Sequence, residues 1–274
     1  MRTIHRALSC VTVALIAACS AGEDPQASAS SGEGHRPVHW SYEVDEGPER
    51  WAELSPAYAA CAAGRNQSPI DLFTVAEGEI VDGGMSNRYG TIDLAMRRTT
   101  QVGDLLDNGH TIQVDAGGSH IELNDLALDL VQFHFHSPSE HRVQGQSFPL
   151  EIHFVHSSED GALAVMGVFV IEGEEHAELA KVVANLPDAD DEMVRPPGVS
   201  IDVQGLLPHT VDSARYRYSG SLTTPPCTEG VRWIVFPRPI EASPEQIEAI
   251  RSRMPVNNRP VQALNGRLVI LLRH

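Results

Sequence analysis

Hydrophobic and polar residues alternate along several short stretches of the chain, which is the pattern of β-strands. β-Branched and aromatic residues are frequent in these stretches, and Gly, Asn, Asp and Pro separate them. The pattern predicts six strands, at residues 111–114, 130–136, 150–156, 162–171, 231–236 and 268–272.

Helical patterns are fewer and shorter, and they predict helices at 49–54, 176–183 and 244–254. Ser243 precedes the last of these, with Pro244 at the first helical position. This pair favours a helix start, since a Ser side chain accepts from free backbone N–H groups and Pro has no N–H to leave unpaired. The sequence therefore predicts a mostly β (α+β) protein, with a large sheet and short peripheral helices.

The N-terminal 18 residues resemble a signal peptide for export. Arg2 and Arg6 precede an apolar stretch that is too short to span a membrane. The stretch ends in Ile-Ala-Ala-Cys, similar to the lipobox of bacterial lipoproteins, in which the cysteine (here Cys19) is acylated and becomes the N-terminus. The alternative is an ordinary secretory signal that is cleaved near Ala21.

Residues 19–36 contain Ala, Ser, Gly, Pro and charged residues but no large apolar side chain, so we expect a disordered tether. Residues 37–274 show no further low-complexity break. With 42% hydrophobic residues in a chain of 274, they are expected to form a single globular domain around one core.

The composition narrows the possible partners and locations. The formal net charge is −17, and no run is rich in Lys or Arg, so a nucleic-acid backbone would be repelled. Export would place the protein in the periplasm or cell envelope. Contact with a membrane is then expected only through a lipid on Cys19.

Two histidine-containing stretches carry candidate chemistry. In residues 132–136, strict alternation places Gln132, His134 and His136 on one face of a strand. The stretch 151–155 has the same period, so Glu151 and His153 also share a face. Two neighbouring strands could therefore present three imidazoles together.

Three neutral imidazoles with an open fourth position are typical of a catalytic zinc site, where the pKa of a bound water falls to about 7. Gln132 and Glu151 each lie two residues before a candidate ligand and could accept its second ring N–H. A His-x-His pair by itself is more often an ordinary surface or core pair. The third histidine and its acidic neighbour favour the metal site.

Seven segments, in the same order, resemble the α-class carbonic anhydrases, and together they cover the chain from His39 to about Leu272. They are HWSY (39–42), NQSPIDL (66–72), NGHTIQV (108–114), QFHFHSPSEH (132–141), EIHFVH (151–156), GSLTTPPCTEGVRWIV (220–235) and NNRPVQ (257–262). The resemblance implies a twisted, predominantly antiparallel sheet of about ten strands. It also implies one zinc ion per catalytic domain, bound by the three histidines named above at the floor of a conical cleft.

By the same resemblance, the activity is the reversible hydration of carbon dioxide to bicarbonate and a proton, by attack of zinc-bound hydroxide. Thr223 orients the hydroxide, and its own hydroxyl donates a hydrogen bond to Glu140, because an ionised carboxylate can only accept a hydrogen bond. His110 then carries the proton to solvent. The implied small molecules are carbon dioxide, water and bicarbonate.

The resemblance assigns further residues around the metal. Polar neighbours of the zinc and of the proton path are Asn108, Gln113, Tyr42 and His141. An apolar wall that holds carbon dioxide consists of Val155, Val165, Leu222, Val231 and Trp233. The backbone N–H of Thr223 and the side chain of Thr224 are expected to contact the substrate and bicarbonate. Cys61 and Cys227 match the disulfide of exported relatives, and one of Pro225 and Pro226 could follow a cis peptide.

Two other function classes are compatible with parts of this pattern. A catalytically silent binding module of the same fold would lack a zinc histidine, whereas all three are present here. A zinc peptidase would carry a His-Glu-x-x-His helix, which the sequence lacks. Hydrolysis of small activated esters could accompany the main reaction, and a homodimer is compatible with the sequence. The short link Ser137–Ser139 resembles bacterial rather than vertebrate relatives.

Overall fold

The computed structural model describes residues 38–73, 76–77, 85–99, 110–208 and 214–272. The predicted signal peptide (1–18), the predicted tether (19–36) and the candidate residues Cys19 and Asn108 lie outside these ranges. Within the described ranges, no helix is long and apolar enough to cross a membrane.

The described residues form fifteen strands, most of them short. They are β1 (Asp71–Leu72), β2 (Ala76–Glu77), β3 (Met85–Arg88), β4 (Thr91–Asp93), β5 (Met96–Thr99), β6 (Thr111–Asp115), β7 (His120–Leu123), β8 (Leu126–His136), β9 (Arg142–Val143), β10 (Leu150–Ser157), β11 (Leu163–Glu172), β12 (Ser200–Asp202), β13 (Arg215–Ser221), β14 (Glu229–Ala242) and β15 (Ile270–Leu272).

The helices of the described ranges are also short. The α-helices are α1 (Trp51–Leu54), α2 (Ala60–Ala63), α3 (Ala177–Val183) and α4 (Pro244–Arg251), and the 3-10 helices are Pro56–Tyr58 and Val203–Leu206.

Eleven of the described strands form one sheet, in the order β2-β15-β13-β14-β11-β10-β8-β6-β5, with β7 also paired to β8 and β3 paired to β7. Its pairs are antiparallel except for β11 with β14 and β15 with β2. The remaining pairs, β1 with β9 and β12 with β4, form two small separate sheets. The prediction of a large, predominantly antiparallel sheet with small helices is confirmed.

The two faces of β8 and β10 separate as the alternation predicted. Phe133, Phe135, Ile152 and Phe154 are fully buried in the main hydrophobic core. The intervening histidines point to the opposite face, where a second core cluster contains Trp233 and its apolar neighbours. The metal candidates thus lie on the same face of the main sheet as this second cluster.

The boundaries of several predicted elements differ from the observed ones. The first predicted helix, 49–54, begins only at Trp51, and the last, 244–254, ends at Arg251. Ser243 does cap α4, and Gln246 completes the capping box by accepting from the Ser243 N–H at 3.0 Å. Strand β13 was not predicted, although Tyr216 and Tyr218 alternate with Arg215 and Arg217 and are both buried in the second core cluster.

A disulfide joins the N-terminal helical region to the loop between β13 and β14. Cys61 in α2 is bonded to Cys227, with an S–S distance of 2.06 Å. The two cysteines pack with Trp40, Trp51 and Tyr58 in a small aromatic cluster. The implied pairing is confirmed, and Pro226 is the proline of its pair that follows a cis peptide. The disulfide therefore fixes the loop that carries Thr223 and Thr224.

Candidate metal centre

Strand register places the three candidate ligands together. His134 on β8 lies directly opposite His153 on β10, and Gln113 on β6 lies opposite His134 on its other side. His136 follows His134 by two residues and therefore projects from the same face. Directly opposite residues in a sheet have close Cβ atoms, so all three imidazoles share one site.

The three imidazoles are buried and close enough to share one ion. Their exposed fractions are between 0% and 4%, and one nitrogen from each lies within 4.8 Å of the others. The Nε2 atoms of His134 and His136 are 3.1 Å apart. Two nitrogens bound at zinc distance in a tetrahedron would lie roughly 3.4 Å apart. The donor set and its spacing fit a zinc ion.

The electrostatics of the cluster favour neutral imidazoles, which are the form that binds a metal. Burial lowers the pKa of His134 well below its usual value, and the neighbouring imidazoles lower it further. Burial also lowers the pKa of His136, although Glu140 opposes the shift.

Each imidazole has its second ring nitrogen next to an oxygen atom of the chain. His134 Nδ1 lies 2.8 Å from Gln132 Oε1, and His153 Nε2 lies 2.9 Å from Glu151 Oε1. Both contacts agree with the positions that the sequence suggested. The remaining nitrogens, His134 Nε2 and His153 Nδ1, are thereby directed to the shared site.

The acceptor for His136 was not predicted. Its Nδ1 lies 2.7 Å from the backbone carbonyl oxygen of Asn257, whose side chain also accepts from the Ser137 N–H at 2.8 Å. A backbone carbonyl gives no residue-specific signal, although Asn257 opens the last of the quoted segments. The outer nitrogens of His134 and His136 are therefore hydrogen-bonded, whereas His153 Nε2 lies close to a carboxylate oxygen without forming a hydrogen bond.

Glu151 connects the ligand strand to the turn that carries Glu140. Its Oε2 accepts the backbone N–H groups of Glu140 and His141, both at 2.9 Å, and its Oε1 lies 2.8 Å from His141 Nδ1. Burial opposes ionisation, but His141 and His153 outweigh it and hold the pKa of the carboxyl well below its usual value. Glu151 is thus an ionised buried acceptor.

Gly167 on β11 makes room for this carboxylate. It lies opposite His153, and a Cβ at this position would be 2.8 Å from Glu151 Oε1. A side chain at 167 would therefore displace the group that orients His153. The sequence analysis did not single out this glycine.

His141 lies in the buried network next to the triad. Its Nδ1 contacts Glu151, whose other oxygen accepts the Glu140 N–H, and its Nε2 lies 2.7 Å from the Tyr218 hydroxyl. Tyr218 in turn lies 2.8 Å from the Ser68 hydroxyl. A buried chain of hydrogen bonds therefore extends from the metal centre to the segment that follows α2.

Glu140 lies beside the triad. One of its carboxylate oxygens accepts a hydrogen bond, and the other has no partner among the described residues. Its Oε1 accepts the Arg259 backbone N–H at 2.9 Å. Its Oε2 is buried, has no hydrogen-bond partner among the described residues, and lies 3.5 Å from His136 Nε2. The bond from the Thr223 hydroxyl that the resemblance implied is therefore not formed here, although Thr223 is buried in the adjacent loop.

The candidate apolar wall is a row of opposed residues on neighbouring strands. Val155 lies opposite Val165, and Val165 lies opposite Trp233. The Trp233 ring centroid is 4.9 Å from that of His153. Val231 is also buried in this cluster, and Leu222 packs against it. The wall thus directly adjoins the imidazoles.

Comparison with known proteins agrees with the site. A family model described as eukaryotic-type carbonic anhydrase matches residues 46–272. The chain is 42% identical to a carbonic anhydrase of Pectobacterium carotovorum over 237 residues, which cover 85% of this chain and 91% of that protein. The chain belongs to the α-class carbonic anhydrase family.

Solved structures of similar proteins have the same fold. The α-carbonic anhydrase of Thermovibrio ammonificans, in complex with the inhibitor sulfanilamide, has a TM-score of 0.76 at 43% identity and covers 85% of this chain and 99% of its own. Dioscorin complexed with ascorbate is also similar, with a TM-score of 0.75 at 30% identity. The match covers 86% of this chain and 98% of the dioscorin chain.

Membership of the carbonic anhydrase family gives the general reaction and substrates. The protein is a carbonic anhydrase that acts on small molecules such as carbon dioxide, in a family of zinc enzymes. The buried histidine triad is the part of its structure that could bind the metal.

The residues at the rim of this carbonic anhydrase's site are less buried than the triad. His110 is half-buried, directly before β6, and its Nε2 donates to the Trp40 carbonyl oxygen at 2.7 Å. Tyr42 packs edge-on against Trp40, and its hydroxyl is buried without a partner among the described residues. Burial, together with the charge of Glu140, raises the pKa of Tyr42.

Proposed function

We propose that this carbonic anhydrase hydrates carbon dioxide reversibly with one zinc ion bound by His134, His136 and His153. The observation that carries the proposal is the triad itself. Its three buried imidazoles converge within 4.8 Å, and each has its other nitrogen next to a fixed acceptor. A bound zinc ion supplies a Lewis acid that lowers the pKa of a coordinated water to about 7.

Thr223 and Glu140 give the reacting water its orientation. An ionised Glu140 can only accept, so a Thr223 hydroxyl that donates to it must accept from the water. The water's lone pair then faces the substrate. The buried Glu140 Oε2, which has no partner among the described residues, supports this assignment because it is the acceptor that such a hydroxyl requires.

The apolar wall would hold carbon dioxide next to the triad. Carbon dioxide offers little to hydrogen-bond, so Val155, Val165 and Trp233 are suited to contact it, with Val231 and Leu222 beside them. The backbone N–H of Thr223 then orients one substrate oxygen, and Thr224 contacts bicarbonate. The same constellation would also hydrolyse small activated esters.

Proton release would proceed through His110. A reaction that generates a proton at a buried centre needs a group at its rim that titrates near neutral pH. His110 is half-buried, and burial lowers its pKa while Glu46 and Asp190 raise it. Gln113, opposite His134, and Tyr42 line the intervening region and are suited to order water there.

The location that we propose is the cell envelope. Residues 1–18 would direct export, Cys19 would carry a lipid, and residues 19–36 would tether the catalytic domain 37–274. The disulfide between Cys61 and Cys227 supports an oxidising compartment.

The decisive experiment measures zinc content and stopped-flow carbon dioxide hydration on the same samples of the protein and of His134→Ala. We expect one zinc per chain and rapid hydration, and in the variant a loss of hydration to the uncatalysed rate. Stoichiometric zinc without hydration would favour a binding module instead. A well-folded protein without zinc affinity would refute the proposed metal site.

A further inference from the structure

A second histidine lies next to His110, on the segment that packs against it. The ring centroids of His39 and His110 are 5.9 Å apart in an edge-on arrangement. Trp40, the residue after His39, packs on His110 at 5.2 Å and accepts its Nε2–H through the backbone carbonyl. The segment that holds His110 in place therefore also carries a second imidazole.

The two imidazoles differ in exposure, so that His110 lies nearer the interior and His39 lies nearer the solvent. His110 is half-buried, whereas 55% of the His39 side chain is exposed. Glu46 lies on the outer side, with its Oε2 3.4 Å from His39 Nε2. Glu46 thus lies next to the imidazole that is more open to solvent.

Several charged groups face the pair from other elements. Burial lowers the pKa of His110, and the carbonyl of Trp40 opposes this shift; His39 lowers the pKa further, whereas Glu46 and Asp190 raise it. His110 also lines a cavity of about 400 Å³ with Arg98, Asp190 and Arg253. Arg98 Nε is 2.5 Å from an Asp190 oxygen, so these two charges largely offset each other. Among the described residues, His39 is the imidazole whose ring lies next to that of His110.

We propose that His39 is a second proton carrier, which takes the proton from His110 and releases it to buffer in solution. The inference rests on the proposed role of His110. One ring N–H bond of the His110 imidazolium breaks, and through a bridging water one forms on neutral His39. His39 then loses its proton to a buffer base, so both rings end neutral and no other reactant is needed.

The test compares carbon dioxide hydration at low and high buffer concentration for the protein as expressed from the full chain. The variants are His39→Ala, His39→Asn, His110→Ala and the double variant His39→Ala/His110→Ala. His120→Ala is the matched control, because His120 lies on β7 and is partly exposed but belongs to neither the triad nor the rim.

We expect His39→Ala to lower kcat about threefold in weak buffer, much less than His110→Ala, because His110 keeps direct access to buffer. The ratio kcat/KM should be unchanged, since it reports steps before proton release. A high concentration of imidazole should restore kcat. His39→Asn should match His39→Ala, since it keeps a polar side chain that cannot carry a proton.

Three results would overturn the inference. Weak-buffer kcat in His39→Ala could equal that of His120→Ala, or His39→Asn could recover the full rate, which would make the side chain structural. The double variant could be slower than His110→Ala by the full His39 factor, which would mean independent paths. An unaffected His110→Ala would refute the proposed role of His110 itself, and that single variant distinguishes the two failures.

Discussion

The proposed metal centre and its rim use histidine in opposite ways. The imidazoles of His134, His136 and His153 project from two paired strands, are buried, and have their outer nitrogens next to fixed acceptors. His39 and His110 lie on irregular segments, are at least partly exposed, and face groups of both charges. A metal needs ligands whose positions do not change, whereas a proton carrier needs contact with solvent and a pKa near neutral.

Strand geometry fixes the positions of the triad, whereas the rim histidines are characterised by their exposure to solvent. A change of register by one residue would turn every ligand of a strand to the other face, so the sheet specifies the triad as one unit. At the rim, a surface charge changes the pKa of His110 without changing the fold. The two regions should therefore respond differently to substitution.

The largest expected effect tests the orientation of the reacting water inside the centre. Thr223→Val removes the hydroxyl while keeping the shape, and we expect hydration to fall by roughly 10²- to 10³-fold. Zinc content should be unchanged. Thr223→Ser is the control and should retain most of the rate. Loss of zinc in Thr223→Val would assign the residue a structural role instead.

Burial of histidine should reduce stability in acid, and His156 allows this to be measured away from the metal. It is fully buried next to Tyr89, and burial lowers its pKa from 6.5 to about 4. The unfolded chain therefore takes up a proton first as the pH falls. The free energy of unfolding is therefore unaffected by protonation of His156 above pH 6.5. Between pH 6.5 and about pH 4 it decreases by about 3 kcal/mol in total because of this group.

The measurement for His156 is the free energy of unfolding in denaturant at several pH values, for the protein and for His156→Gln. The variant should show a shallower decrease between pH 6.5 and 4. Parallel curves would mean that His156 does not contribute to the acid sensitivity.

A smaller effect is expected from the acceptors that orient the ligands. Glu151→Gln removes the charge next to His153 but keeps a carbonyl oxygen, and we expect zinc affinity to fall roughly 10- to 100-fold. Competition with a chelator measures this. Gln132→Ala removes a neutral acceptor of His134 and is the matched comparison, with a smaller loss. Unchanged zinc affinity in Glu151→Gln would show that the charge of Glu151 adds nothing.

The smallest effect is expected at the rim. His39 and Glu46 are both substantially exposed, so their ion pair contributes little to stability. We expect His39→Ala to change the free energy of unfolding by less than about 0.5 kcal/mol. Denaturant unfolding checks this, with His120→Ala alongside. A loss of several kcal/mol would mean that the rim segment is part of the folded core and would remove the distinction drawn above.

Much of the metal centre was predictable from the sequence because a strand repeats every two residues. Alternation alone assigns Phe133 and Phe135 to one face and His134 and His136 to the other, and the structure confirms both assignments. It also places Gln132 and Glu151 beside their ligands. Strand β13 was missed although Tyr216 and Tyr218 alternate with Arg215 and Arg217, because the burial of such polar side chains depends on contacts across the sheet.

The sequence by itself determined which side chains share a face, which residue types can bind zinc, and which family the motifs resemble. Only the tertiary structure decided which distant groups complete the site. The Asn257 carbonyl reaches His136, Gly167 makes room for Glu151, and His39 lies beside His110. The physical reason is that local periodicity acts within one strand, whereas these contacts depend on which segments the fold makes neighbours.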